Sequence, residues 1–189
     1  MLTITNHRLV EAKQIESPNC NDRPDHCELS LLVIHSISLP PGQFGGRYIE
    51  SLFTNCLNPD DHPYFAEICE LQVSSHLLIT RSGDLIQFVP FNKRAWHAGK
   101  SCYQGRENCN DFSIGIELEG TDTAPFAMAQ YQRLAEVIAV LLAEYPGLST
   151  RHITGHEHIA PGRKTDPGPG FDWDYLYSII SNTTPADQL

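Results

Sequence analysis

With 189 residues, 41% of them hydrophobic and 19% charged, the chain has enough apolar material for one core; a single domain over 1–189 is expected and wholesale disorder is excluded. A net charge of −10 argues against a nucleic-acid partner or an anionic membrane surface, because both select basic patches. No apolar run approaches the roughly 18 residues of a membrane span, and the first ten residues, M-L-T-I-T-N-H-R-L-V, lack the basic and apolar segments of a signal peptide, so neither membrane insertion nor export is expected.

Residues 1–28 are polar and rich in Asn, Asp and Pro, and predict an extended arm with at most one short strand. Residues 29–34 read L-S-L-L-V-I, a nearly continuous apolar run expected to be a strand buried on both faces and ending at His35. A histidine there stands where a sheet opens onto loops, a usual place for a site, although alone it more often reads as a neutral core histidine. A Pro40-Pro41-Gly42 turn follows, then a short helix over 47–57 and a partly helical loop over 58–70. Residues 73–80 and 85–89 predict two strands joined across Arg81-Ser82-Gly83-Asp84. Residues 91–110 form a long connection carrying Trp96 and His97, a length that usually marks a functional loop.

Residues 113–118, S-I-G-I-E-L, alternate strictly, with Ile114, Ile116 and Leu118 on one face and Gly115, Glu117 and Glu119 on the other. A glycine two residues before Glu117, on its own face, leaves room for another group to approach closely. From about 126 to 145 the apolar residues keep a 3.6 period, predicting a helix that starts near Pro125 and stops at Pro146-Gly147. Asp172 caps a last helix through about Ile180, and 183–189 is expected to fray. Six cysteines (Cys20, Cys27, Cys56, Cys69, Cys102, Cys109) with no C-x-x-C and no export signal read as reduced thiols, not as a zinc ribbon.

The stretch 154–170, T-G-H-E-H-I-A-P-G-R-K-T-D-P-G-P-G, carries three prolines and four glycines, which argue against a regular helix or central strand and for a stiffened loop. It bears His156, His158, Lys164 and Asp166. Were His35, His156 and Asp166 to meet, two imidazoles and a carboxylate would supply three ligands for Zn2+ and leave a fourth position for water, the layout of a catalytic site. Glu117 would then take the water's proton, and Lys164 would stabilise an oxyanion, a set suited to amide hydrolysis. From the residues alone His152 and His158 remain rivals to His156, and Glu119 to Glu117.

Several runs closely resemble the AmpD-type N-acetylmuramoyl-L-alanine amidases: I-H-S-I-S-L-P-P-G-Q-F-G-G, V-P-F-N-K-R-A-W-H-A-G, Y-Q-G-R-E-N-C-N-D-F-S-I-G, S-I-G-I-E-L-E-G-T-D-T and I-A-P-G-R-K-T-D-P-G-P. The likeness covers about 31–173, and the wider group includes peptidoglycan recognition proteins and phage-type amidases. It implies an α/β fold with a mixed β-sheet flanked by α-helices, and zinc ligands at His35, His156 and Asp166. It also implies catalytic roles for Glu117 and Lys164. The implied reaction cleaves the amide between 1,6-anhydro-N-acetylmuramic acid and L-alanine in cytoplasmic muropeptides during peptidoglycan recycling, with no obligatory protein partner. Three positions depart from the family pattern: Ser36 stands for Asn, and Gln72 and Asn108 each for Arg. All three are associated in the family with holding the sugar or the peptide carboxylates. Two guanidinium forks are thereby lost, and weaker dependence on an anionic peptide stem is expected. Trp96 is a candidate to pack against a sugar face. The competing reading is a non-catalytic muropeptide binder of the same fold; a binder could dispense with some of the five site residues, and all five are present.

Overall fold

The computed structural model describes residues 2–183. Residues 2–28 are no arm. β1 (Ile4–Thr5) and β2 (Arg8–Leu9) close a hairpin, β3 (Lys13–Gln14) joins the edge of the main sheet, and β4 (Cys20–Asp22) pairs with a later strand. Leu2, Leu9 and Ala12 are buried in the main core. They are isolated apolar residues among polar ones and show no period, which is why the pattern of this segment does not announce its strands.

The chain continues through β5 (Leu31–Ile37), α1 (Tyr48–Phe53), α2 (Phe65–Ile68), β6 (Leu77–Ile79), β7 (Leu85–Gln87) and β8 (Lys93–Ala95). There follow β9 (Cys102–Tyr103), β10 (Arg106–Glu107), β11 (Ser113–Glu119), α3 (Met128–Glu144), β12 (Ile153–Gly155), α4 (His156–Ile159) and α5 (Trp173–Thr183). The long 91–110 connection is thus not bare loop: β8 pairs with β4, and β9 and β10 form a hairpin. The expected 73–80 strand is ordered as strand only over 77–79. α5 begins as expected, with the Asp172 carboxylate accepting from the Tyr175 N–H at 2.8 Å. Most of the tail expected to fray, 184–189, lies outside the described residues.

Six strands form a mixed sheet in the order β12-β5-β11-β6-β7-β3, with β5 parallel to both β11 and β12. Helices flank both faces, as the resemblance implies. On one face Leu32, Ile34, Ile114, Ile116 and Leu118 pack against Leu134, Val137, Ile138 and Leu141 of α3 and Leu176 and Ile180 of α5. α3 buries the face its 3.6 period marks out. On the other face, α1 and α2 cover Leu78 and Ile86, while Leu31 and Val33 meet Phe112 and Ile159. Each fully buried aliphatic side chain here contributes about 1.5–3 kcal/mol relative to exposure. Both faces of β5 and β11 are covered, so any polar residue within them is held in a dry setting. His35 and Glu117 are two such residues.

Candidate metal centre

β5 does not stop at His35: Ser36 and Ile37 continue the parallel ladder with Leu118 and Glu119. The expected strand end is therefore corrected by two residues, because β11 offers partners beyond the histidine. In register, His35 lies directly beside Glu117. β12 runs parallel to β5 and ends at Gly155, where the chain turns into the single-turn helix α4, whose first residue is His156. This corrects the expectation that 154–170 lacks regular structure. Of its breakers only Gly155 precedes the helix; the three prolines and the other glycines all fall from 161 onward, where the chain is indeed loop. That loop is tied back to α4 by the Glu157 N–H, which donates to the Asp166 carbonyl at 2.9 Å, and so returns Asp166 to His156.

The result is a triangle of donor atoms. His35 Nδ1 lies 3.0 Å from His156 Nδ1 and 3.0 Å from Asp166 Oδ2, and His156 Nδ1 lies 3.1 Å from Asp166 Oδ2. His35 and His156 are buried and Asp166 half-buried. His156 Nε2 lies 3.1 Å from the Ala98 carbonyl, which only accepts, so that nitrogen carries the ring proton and Nδ1 presents a lone pair. Burial pulls the His35 imidazole down to about 4, so it is neutral near pH 7. Lone pairs of imidazole and carboxylate this close, out of water, repel unless a cation lies among them, and their chemistry is that of a divalent-metal donor set. The residues therefore fit a metal. The rival histidines sit elsewhere: His158 is exposed beside Glu157, and His152 faces the Tyr103 hydroxyl at 3.1 Å.

Glu117 is buried, and its Oε2 has no hydrogen-bond partner among the described residues. Burial pushes its carboxyl well above the usual range, and the Asp166 charge adds to this while Lys164 opposes it. Glu119 is engaged instead in holding the scaffold, accepting from the Gly45 N–H at 2.5 Å and the Arg81 N–H at 3.0 Å. Lys164 is exposed and lines the same cavity as the three donors and Glu117, a cleft of about 620 Å³. The lining of the cleft also includes Phe53, Tyr64, Ile68, Leu71 and Val73, which give it a substantial apolar surface.

Of the four candidate substrate contacts, two line this cleft. Ser36 donates to Asp122 Oδ1 at 3.2 Å, and half-buried Trp96 is pinned through its indole N–H to Asn21 Oδ1 at 2.7 Å. Gln72 is exposed between the cleft residues Leu71 and Val73 and does not itself line the cleft. Asn108 lies at a left-handed φ of 58° in a separate groove with Lys100 and Arg163. His97, carried by the 91–110 connection, both lines the cleft and packs: it is buried, and its Nδ1 lies 2.9 Å from His35 Nε2. The signal for it is Gly115. A Cβ there would stand 2.5 Å from His97 Cγ, so the glycine is the space into which the ring fits. Gly115→Ala is expected to cost about 1–3 kcal/mol in unfolding free energy through overpacking and to weaken metal binding; an unchanged denaturation midpoint would show that the ring has room to spare.

Residues 25–169 match the N-acetylmuramoyl-L-alanine amidase family. The chain is 59% identical over 173 residues to the 1,6-anhydro-N-acetylmuramyl-L-alanine amidase AmpD of Salmonella typhimurium (strain SL1344), covering 92% of each. It superposes with a TM-score of 0.92 on the crystal structure of a selenomethionine AmpD derivative, at 56% identity, covering 94% of this chain and 99% of that one. It is also similar, at 28% identity and a TM-score of 0.58, to Escherichia coli AmiD, solved in complex with the substrate anhydro-N-acetylmuramic acid-L-Ala-D-γ-Glu-L-Lys; 94% of this chain and 65% of that one are covered. With a family match over most of its length and a relative 59% identical over 92% of it, this chain belongs to the N-acetylmuramoyl-L-alanine amidase family.

Proposed function

We propose that the protein is a zinc-dependent amidase that hydrolyses the bond between 1,6-anhydro-N-acetylmuramic acid and L-alanine in muropeptides. The observation that carries this reading is the convergence of His35, His156 and Asp166 beside a buried carboxyl, Glu117, whose Oε2 has no hydrogen-bond partner among the described residues. When bound, a zinc ion supplies Lewis-acid polarisation and brings the pKa of coordinated water to about 7. Glu117 takes the proton of the attacking water and returns it to the leaving nitrogen; its raised affinity for a proton suits it to hold one between the two steps. Lys164, at the rim of the same cleft, places a positive charge near the oxyanion that develops at the scissile carbonyl. The apolar side chains of the cleft, Trp96 among its lining residues, give the sugar ring a surface to lie on, and the Ser36–Asp122 pair offers polar contacts.

Gln72 and Asn108 carry no charge, and their places at and beyond the cleft rim support a weaker dependence on an anionic peptide stem than an arginine at either position would confer. The setting we propose is cytoplasmic recycling of cell-wall fragments, supported by six free thiols and by the substrate class itself. Among the described residues no helix is long and apolar enough to cross a membrane.

Hydrolysis of anhydro-muropeptide is expected to stop on treatment with a strong chelator and to return on addition of zinc. Turnover that survives complete metal removal, checked by elemental analysis of the same sample, would reject the mechanism.

A further inference from the structure

Behind the metal site a chain of buried polar groups runs from β5 into the 91–110 connection. Ser113 Oγ lies 2.6 Å from the Cys109 carbonyl oxygen. A carbonyl only accepts, so the hydroxyl proton lies on that line. The hydroxyl is left to accept from His97 Nε2 at 3.1 Å, which therefore carries the ring proton. A neutral imidazole has one such proton, so His97 Nδ1 is a lone pair, and it faces His35 Nε2 at 2.9 Å. His35 Nε2 accordingly donates, and His35 Nδ1, the atom in the donor triangle, is bare. The opposite polarity would leave two acceptors, Ser113 Oγ and the Cys109 oxygen, 2.6 Å apart with no proton between them. All three side chains are buried, so the direction of the chain is set by the protein and not by solvent.

The next residue does the same for the second imidazole. The Asn110 side-chain oxygen accepts from the His97 N–H at 3.1 Å and the Ala98 N–H at 2.8 Å, clamping this dipeptide. The Ala98 carbonyl then takes the proton of His156 Nε2 at 3.1 Å. His97 through its ring and Ala98 through its backbone thus turn both imidazoles so that each Nδ1 lone pair faces the donor triangle, where a metal would be held.

We propose that His97 and Ser113 are positioning residues: they fix the tautomer of His35, and the metal affinity of the site depends on them although neither donates to the metal. This rests on the zinc reading of His35, His156 and Asp166 given above. Partners behind a metal-bound histidine typically govern affinity by about 10- to 100-fold.

The test measures zinc affinity by competition with a chelator, and the His35 tautomer by two-bond 1H–15N correlation in the metal-free protein. It compares wild type with His97→Phe, His97→Gln and Ser113→Ala. In wild type, His35 is expected to be protonated at Nε2. His97→Phe, which keeps a ring but offers no acceptor, is expected to bind zinc about 10- to 100-fold more weakly and to show mixed tautomers at His35. His97→Gln, whose amide oxygen can accept from His35 Nε2, is expected to recover much of the affinity. Ser113→Ala, a small truncation, is expected to shift both readouts in the direction of His97→Phe, and it decides the matter if the phenylalanine variant does not fold. Wild-type zinc affinity with an unchanged tautomer in Ser113→Ala, or weakened binding in His97→Phe without any tautomer change, would overturn the proposal. A wild-type protein that takes up no zinc would instead overturn the reading of the site on which it stands.

Discussion

Glu117→Gln is expected to lower the turnover of anhydro-muropeptide by roughly 100- to 10,000-fold, the usual contribution of a positioned acid–base group, while the protein still takes up zinc. Glutamine keeps the shape and cannot accept a proton, so the comparison isolates proton transfer from packing. Glu117 sits beside His35 in the strand register, yet the donor triangle does not include it. Metal uptake should therefore survive the substitution, and elemental analysis checks that half of the prediction.

A second consequence is thermodynamic. The Glu117 carboxyl is held well above the unfolded value of 4.5, by burial first and by the Asp166 charge second. An acid whose folded pKa is raised keeps its proton in the folded chain at a pH where the unfolded chain releases it. The unfolded state then binds fewer protons, and stability falls as pH rises above the unfolded value. Glutamine has no such penalty. Metal-free Glu117→Gln should melt above metal-free wild type at pH 7, and the gap should narrow as pH falls toward 4.5. An inactive but more stable variant is the expected pattern; a fully active one would show that the base lies elsewhere.

Asp166→Ala is expected to have the second large effect, on metal binding itself. It removes the only carboxylate of the donor triangle. The loss of zinc affinity should exceed about 100-fold, the upper end of what losing a partner behind a ligand costs, and activity at micromolar zinc should fall with it. Linkage supplies a readout independent of turnover. At zinc near 100 times its dissociation constant, wild type gains about 2.7 kcal/mol of unfolding free energy, and the alanine variant should gain almost none. A zinc-induced rise in melting temperature equal to that of wild type would remove Asp166 from the ligand set.

Both carboxylates stand in distinctive local surroundings, although the residues alone left Glu119 as a rival to Glu117 and only the family likeness chose between them. The alternation of 113–118 puts Glu117 on a face with Gly115, and the rigid G-R-K-T-D-P-G-P run carries Lys164 and Asp166. The 3.6 period over α3 and the apolar run into His35 are of the same kind: they repeat within a few residues, so a window of the chain contains the whole signal. The strands of 1–28 were not legible in that way. Leu2 and Leu9 take their places by packing on elements far along the chain, and nothing in the segment itself repeats.

The residue types at the site, and their likeness to a family of amidases, belong to the sequence alone. What only the tertiary structure decided is which of them meet and with which atoms. The parallel register of β12, β5 and β11 brings together side chains up to 131 positions apart and puts Glu117 beside His35. It separates His156 from His152 and His158, which composition could not do, and it leaves Asn108 in another groove. The place of His97, whose ring fills the space above Gly115, was decided there too. The physical reason is directional: a hydrogen bond or a ligand bond needs an orientation, and orientation comes from the elements on which residues are mounted, not from the order in which they are written.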